Sequence, residues 1–123
     1  MNDVRDSDPG AATMRDQHIR QFLGRSLDEV EQMRRSVPQL IKGDSATWQE
    51  VRFCAQRMSG SAKQLGYDVL GACADELAKL ANERFAGMKV DERFLLGVTT
   101  AIEAIALELN QLEAQTRVPG GIR

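Results

Sequence analysis

A chain of 123 residues and 13.6 kDa suffices for one hydrophobic core and not for two. Its formal charge of −2 and pI near 5.4, with no concentrated basic run in either half, argue against a nucleic acid or an anionic membrane surface as partner. With 42% apolar but only 5% aromatic residues, the core must be aliphatic and alanine-rich, which suits closely packed helices.

Residues 1–12 are polar, mixed in charge and free of the apolar segment of a secretory leader, so they are expected to form a disordered tail. A short helix is predicted from about Thr13, with Ile19, Phe22 and Leu23 as its apolar face and an interruption at Gly24. Ser26 and Glu29 have the spacing of a capping box, which predicts a second helix carrying Leu27, Val30, Met33, Val37 and Leu40. Pro38 removes a backbone donor inside that pattern, so a kink or an early stop is expected near Val37. Gly43 fits a turn, and Ser45 or Thr47 is the expected cap of the next helix.

That next helix carries the strongest pattern in the chain. Trp48, Val51, Ala55, Met58, Ala62 and Leu65 recur at steps of three and four, one helical face turned to a core, and Gly66 ends it. Asp68 is the expected cap of a helix with Leu70, Cys73, Leu77 and Leu80, broadened by Ala74, Ala78 and Ala81. Asp91 is the expected cap of the last one, with Leu95, Val98, Ile102, Ile105, Leu109 and Leu112. Residues 117–123 contain Pro119-Gly120-Gly121 and are expected to be a second disordered tail, leaving 13–116 as the domain. No stretch alternates with period two, so strands are not expected. No apolar stretch approaches the roughly 20 residues of a membrane span, and no membrane partner is expected.

Cys54, Cys73 and the lone His18 fall short of the four ligands of a structural zinc site, so no metal and no cofactor is expected, and the cysteines read as buried thiols of a reducing cytoplasm. An enzyme finds no support: there is no Glu-x-x-His pair, no Gly-rich phosphate loop and no Ser, His and Asp set.

The segment Ala55-Gln56-Arg57-Met58-Ser59-Gly60-Ser61-Ala62-Lys63-Gln64-Leu65-Gly66 resembles the signature of histidine phosphotransfer (HPt) domains. In that family a histidine that exchanges phosphoryl groups with a receiver aspartate is followed three residues later by lysine, then by glycine and serine. Gly60, Ser61, Ala62, Leu65 and Gly66 match, whereas Gln56 stands at the histidine and Ser59 at the lysine. The likeness extends from about Thr13 to Gln115 in the order and spacing of the helices. It implies an all-α, antiparallel four-helix bundle of the HPt type, here with an additional short N-terminal helix. Four closed apolar stripes leave no further apolar face, which predicts a monomer.

The resemblance implies a two-component signalling module without its phosphoacceptor. It would bind the receiver domain of a response regulator or hybrid sensor kinase without catalysis, through Arg52, Phe53, Gln56, Ser59, Gly60, Lys63 and Gln64. At about 100° per residue, Arg52, Gln56, Ser59 and Lys63 share one stripe apart from the core, with Phe53 and Gly60 beside it. Lys63 either replaces the charge missing at Ser59 or is a solvated surface lysine. Ser61 and Ala62 are equally explained as small residues at a helix crossing, and His18 lies outside the motif. The alternatives are an engineered His-to-Gln form of an active phosphorelay protein and a structural helical bundle with no receiver partner. The second departure, at Ser59, favours natural degeneration over engineering.

Overall fold

The computed structural model describes residues 9–117, with side chains over 13–116. Its helices are α1 (Pro9–Arg35), α2 (Val37–Ile41), α3 (Ser45–Gln64), α4 (Asp68–Phe85) and α5 (Glu92–Arg117), and no strand occurs among the described residues. The four long helices pack as an antiparallel bundle in which α3 lies most closely on α4, α4 on α5 and α5 on α1.

The expected interruption at Gly24 does not occur. Ile19, Leu23, Ser26, Val30 and Met33 step by four, three, four and three, so the apolar face stays in phase through the glycine and one helix buries it. Ser26 is correspondingly a buried mid-helix residue rather than a cap. The separate short N-terminal helix is therefore part of α1, which begins at Pro9, inside the segment expected as a tail. The other expected tail residues, 1–8 and 118–123, lie outside the described residues. The stop before Pro38 does occur: α1 ends at Arg35, Ser36 Oγ donates to Gln32 O at 2.8 Å, and Pro38 enters the first turn of α2.

Gly43, with φ +79°, turns the chain into α3, where Asp44 rather than Ser45 or Thr47 is the cap: its carboxylate accepts from the Thr47 amide at 3.2 Å and from the Thr47 hydroxyl. At the other end Gly66 (φ +84°) allows Tyr67 N–H to reach Ala62 O at 2.8 Å, closing a Schellman turn that sends the chain back as α4. Asp68 opens α4 without capping it, whereas Asp91 caps α5 through Phe94 N–H at 2.9 Å.

Trp48 anchors one end of the core. It is fully buried, and its indole N–H donates to Leu40 O at 3.1 Å, while Phe94 and the Arg84 guanidinium lie 5.9 Å from its ring. Arg84 also donates to Gly43 O at 2.9 Å and so ties the C-terminal end of α4 to the turn before α3. The stripes otherwise bury as expected, each fully buried Leu or Ile contributing roughly 1.5–3 kcal/mol. The exceptions lie at stripe edges: Ile19, Phe22, Leu27, Val37, Leu65, Cys73, Leu80 and Leu95 are half-buried.

Closure is incomplete on α5. Over Glu92–Thr116 this helix is long and apolar enough to cross a membrane by length and composition, which the sequence did not lead us to expect. Within the bundle, Val98, Ile102, Ile105 and Leu109 are core, but Leu96 and Leu107 remain 66% and 62% exposed. The expectation of no further apolar face is thus corrected.

Gly24 is exposed, and a methyl group added there meets nothing within 4 Å. Gly24→Ala is expected to stabilise the bundle by about 0.5–1 kcal/mol, because alanine orders more readily in a helix interior. Urea unfolding followed by circular dichroism would show this as a higher midpoint with an unchanged slope.

Candidate functional site

The periodicity of α3 separates its two faces. Trp48, Val51, Ala55, Met58 and Ala62 are no more than 2% exposed, and the opposite side presents Phe53, Gln56, Gly60, Lys63 and Gln64 to solvent. Phe53 is 60% exposed, with the Arg57 guanidinium 5.6 Å from its ring centroid. Gly60 has open space around it, since an added Cβ would meet nothing within 4 Å.

Ser59 does not belong to this face. It is 5% exposed, because a step of three residues from Gln56 falls 60° short of a full turn, on the side that packs against α4. There its hydroxyl donates to Asp75 Oδ1 at 2.5 Å. Lys63, exposed but leaning the same way, donates to Asp75 Oδ2 at 2.6 Å. Hydrogen bonding from Lys63 and then from Ser59 holds the Asp75 carboxyl below its usual range. Lys63 is thus neither a free solvated lysine nor a cation aimed at Gln56: its stem crosses Gly71, where an added Cβ would stand 2.9 Å from Lys63 Cγ.

Arg52 is half-buried, its guanidinium stacked 4.5 Å from the Phe85 ring centroid at the end of α4. One flank of the face, formed by Arg52, Ser59 and Lys63, is therefore tied to α4. On the other flank Arg57 is ion-paired with Glu29 of α1. Between them Gln56 and Gly60 lie exposed, with Phe53 and Gln64 on the α1 side.

Asp75, Gly71 and Phe85 escaped the sequence reading because each acts on α3 from α4, and Asp75 lies 16 residues from Ser59. Ala62 is buried as a small crossing residue, but Ser61 is half-buried and faces α1 instead. There Ser61 and Gln64 line an open groove of about 360 Å³ with His18, Gln21, Phe22 and Arg25. His18, remote from the motif in sequence, is thus brought beside its C-terminal end while remaining exposed.

Both thiols are unpaired, Cys54 buried and Cys73 half-buried. Burial, with Glu50 beside it, pushes the Cys54 thiol up to about 11, so it is not a reactive nucleophile at neutral pH. No group of three or more His, Cys, Asp or Glu with metal-binding geometry occurs among the described residues.

The family model of the Hpt domain matches residues 17–115, most of the chain and all of α3 and α4. No curated protein and no solved structure matches.

Because the folded-state pKa of Asp75 is lowered, its stabilisation is present above the unfolded carboxylate pKa, near 4, and is lost as pH falls through the folded value. The pair is 52% exposed on both sides, so solvent screening keeps the contribution below about 1 kcal/mol. Asp75→Asn should therefore unfold at lower urea than the parent at pH 7. The gap should close in acid, which paired unfolding curves across the acidic range would measure.

Proposed function

The chain belongs to the Hpt domain family, and from that premise we propose that it docks the receiver domain of a response regulator or hybrid sensor kinase and accepts no phosphoryl group from it. As an Hpt domain it is a phosphotransfer-type signalling module, of a family whose members generally interact with receiver domains. The finer reading rests on one observation. Gln56, exposed on the outward face of α3, stands where the resemblance puts the acceptor histidine, and the chain's one histidine, His18, lies on α1.

Transfer from an aspartyl phosphate requires a nitrogen lone pair free to attack phosphorus while the bond to the carboxylate oxygen breaks. Imidazole has one. The side-chain amide nitrogen of glutamine does not, because its lone pair is delocalised into the carbonyl. The lysine of the motif is not replaced at its own position: Ser59 has no charge, Lys63 is engaged by Asp75, and Arg52, one turn before Gln56, is stacked on Phe85. The module therefore acts as a binder and not as an enzyme, occupying a receiver face for which a true phosphotransfer protein would compete.

Docking is supported by what remains on that face. A mid-helix glycine costs about 1 kcal/mol relative to alanine, and nothing in the bundle approaches Gly60 to require it. Close passage of a partner backbone does require it. Phe53, two turns before it on the same face, supplies the exposed aromatic surface in which binding energy commonly concentrates.

Incubation with a labelled phospho-receiver should leave no acid-labile label on the protein, and label on His18 would overturn this reading. Gln56→His should restore transfer weakly at best, given Ser59; efficient transfer by that single variant would mark the chain as an inactivated form of an active protein. Against a cognate receiver, Phe53→Ala should weaken binding by about 1–2 kcal/mol with the fold intact. Gly60→Gln should raise helix stability yet obstruct docking, so titration calorimetry and urea unfolding should move in opposite directions. If the receiver bound both variants as tightly as the parent, the docking face would lie elsewhere.

A further inference from the structure

The apolar surface that α4 and α5 leave open forms a groove of about 610 Å³. It is lined by the small residues Ala101 and Ala104 and by Leu80, and Leu96, also lining it, has two thirds of its surface exposed. A groove lined by small residues beside an exposed leucine is complementary to itself, which is the geometry of an isologous contact. Gly97 also lines it, and an added Cβ there would lie at an ordinary 3.9 Å from Leu80. Packing within the chain thus gives no reason for a glycine in this helix.

Charge identifies the occupant. Glu76 and Arg93 line the same groove, and neither makes an ion pair among the described residues. Leu80 and Gly97 face one another across it. Glu76 precedes Leu80 by four residues and Arg93 precedes Gly97 by four. Because α4 and α5 run antiparallel, the two charges lie on opposite sides of that level, each about 6 Å away along the axis. That separation is too large for a pair within one chain. A two-fold axis through the Leu80–Gly97 level exchanges the two heights and brings Arg93 of one copy to the height of Glu76 of the other.

We propose that the α4–α5 groove is the dimerisation surface of this protein, occupied by a second copy in antiparallel two-fold register, with Leu96 seated in the facing groove and two symmetric Arg93–Glu76 pairs at its ends. The residues lining it belong to α4 and α5, so the outward face of α3 stays free in the pair.

Sedimentation and light scattering across a concentration series test this on the whole chain. The apparent mass should rise from 13.6 kDa towards twice that value. Leu96→Glu should abolish association while circular dichroism stays unchanged, since the side chain is mostly exposed. Arg93→Glu and Glu76→Arg should each weaken the dimer about tenfold or more, and the two together should restore it, because each copy then again offers opposite charges at the paired heights. A parent that stays monomeric to millimolar concentration would overturn the proposal, even if another protein were found to fill the groove. So would a Leu96→Glu variant that associates like the parent, or a double charge reversal no better than either single one.

Discussion

The close approach of α3 to α4 is the constraint on which the arrangement of this molecule depends. Ala55, Ala62, Ala74 and Ala78 are buried, and Gly71 lets the Lys63 stem cross where a Cβ would stand 2.9 Å from it. Two helices brought this near can interdigitate only in a narrow range of rotations about their axes. Fixing the rotation of α3 puts Trp48, Val51 and Met58 inside, directs Ser59 towards Asp75, and leaves Gln56 and Gly60 outward. The outward face of α3 is therefore a consequence of the packing on its other side, held at one end by Arg84 bridging to Gly43 and at the other by the turn at Gly66.

Glycines on these helices carry different physical meanings that composition alone does not separate. Gly71 is crowded by a neighbouring side chain, and alanine there would have to displace it. Gly24 and Gly60 stand in open space. At Gly24 the apolar face on either side is strong enough to carry the helix through, so the glycine costs stability without changing the fold. At Gly60 the same local cost falls on the outward face of α3, beside the exposed Gln56.

The polar side chains flanking the α3 face are held by the neighbouring helices. Asp75 gathers the Ser59 hydroxyl and the Lys63 ammonium, Arg57 pairs with Glu29, and Arg52 stacks on Phe85. These contacts draw the charged side chains to the flanks and leave an uncharged centre of Gln56 and Gly60, with Phe53 beside it.

Periodicity alone determined the all-helical class, the inward faces of Trp48, Val51, Met58, Leu77, Ile102 and Ile105, and the break at Pro38, because a 3.6-residue repeat and a missing backbone donor act within a few residues of chain. The motif frame around Gly60 and Gly66 was legible through its resemblance to the HPt signature, which is a matter of local sequence. Tertiary structure alone decided the rest. Whether Gly24 breaks a helix depends on burial across both its sides, and whether Ser59 is exposed depends on where α4 lies. The fate of the Lys63 charge depends on Asp75 of another helix, and the neighbourhood of His18 depends on how α1 meets the end of α3. The apolar surface left open at Leu96 appears only once the four stripes have been closed on one another, since helical periodicity says which residues share a face and not whether a neighbour is wide enough to cover it.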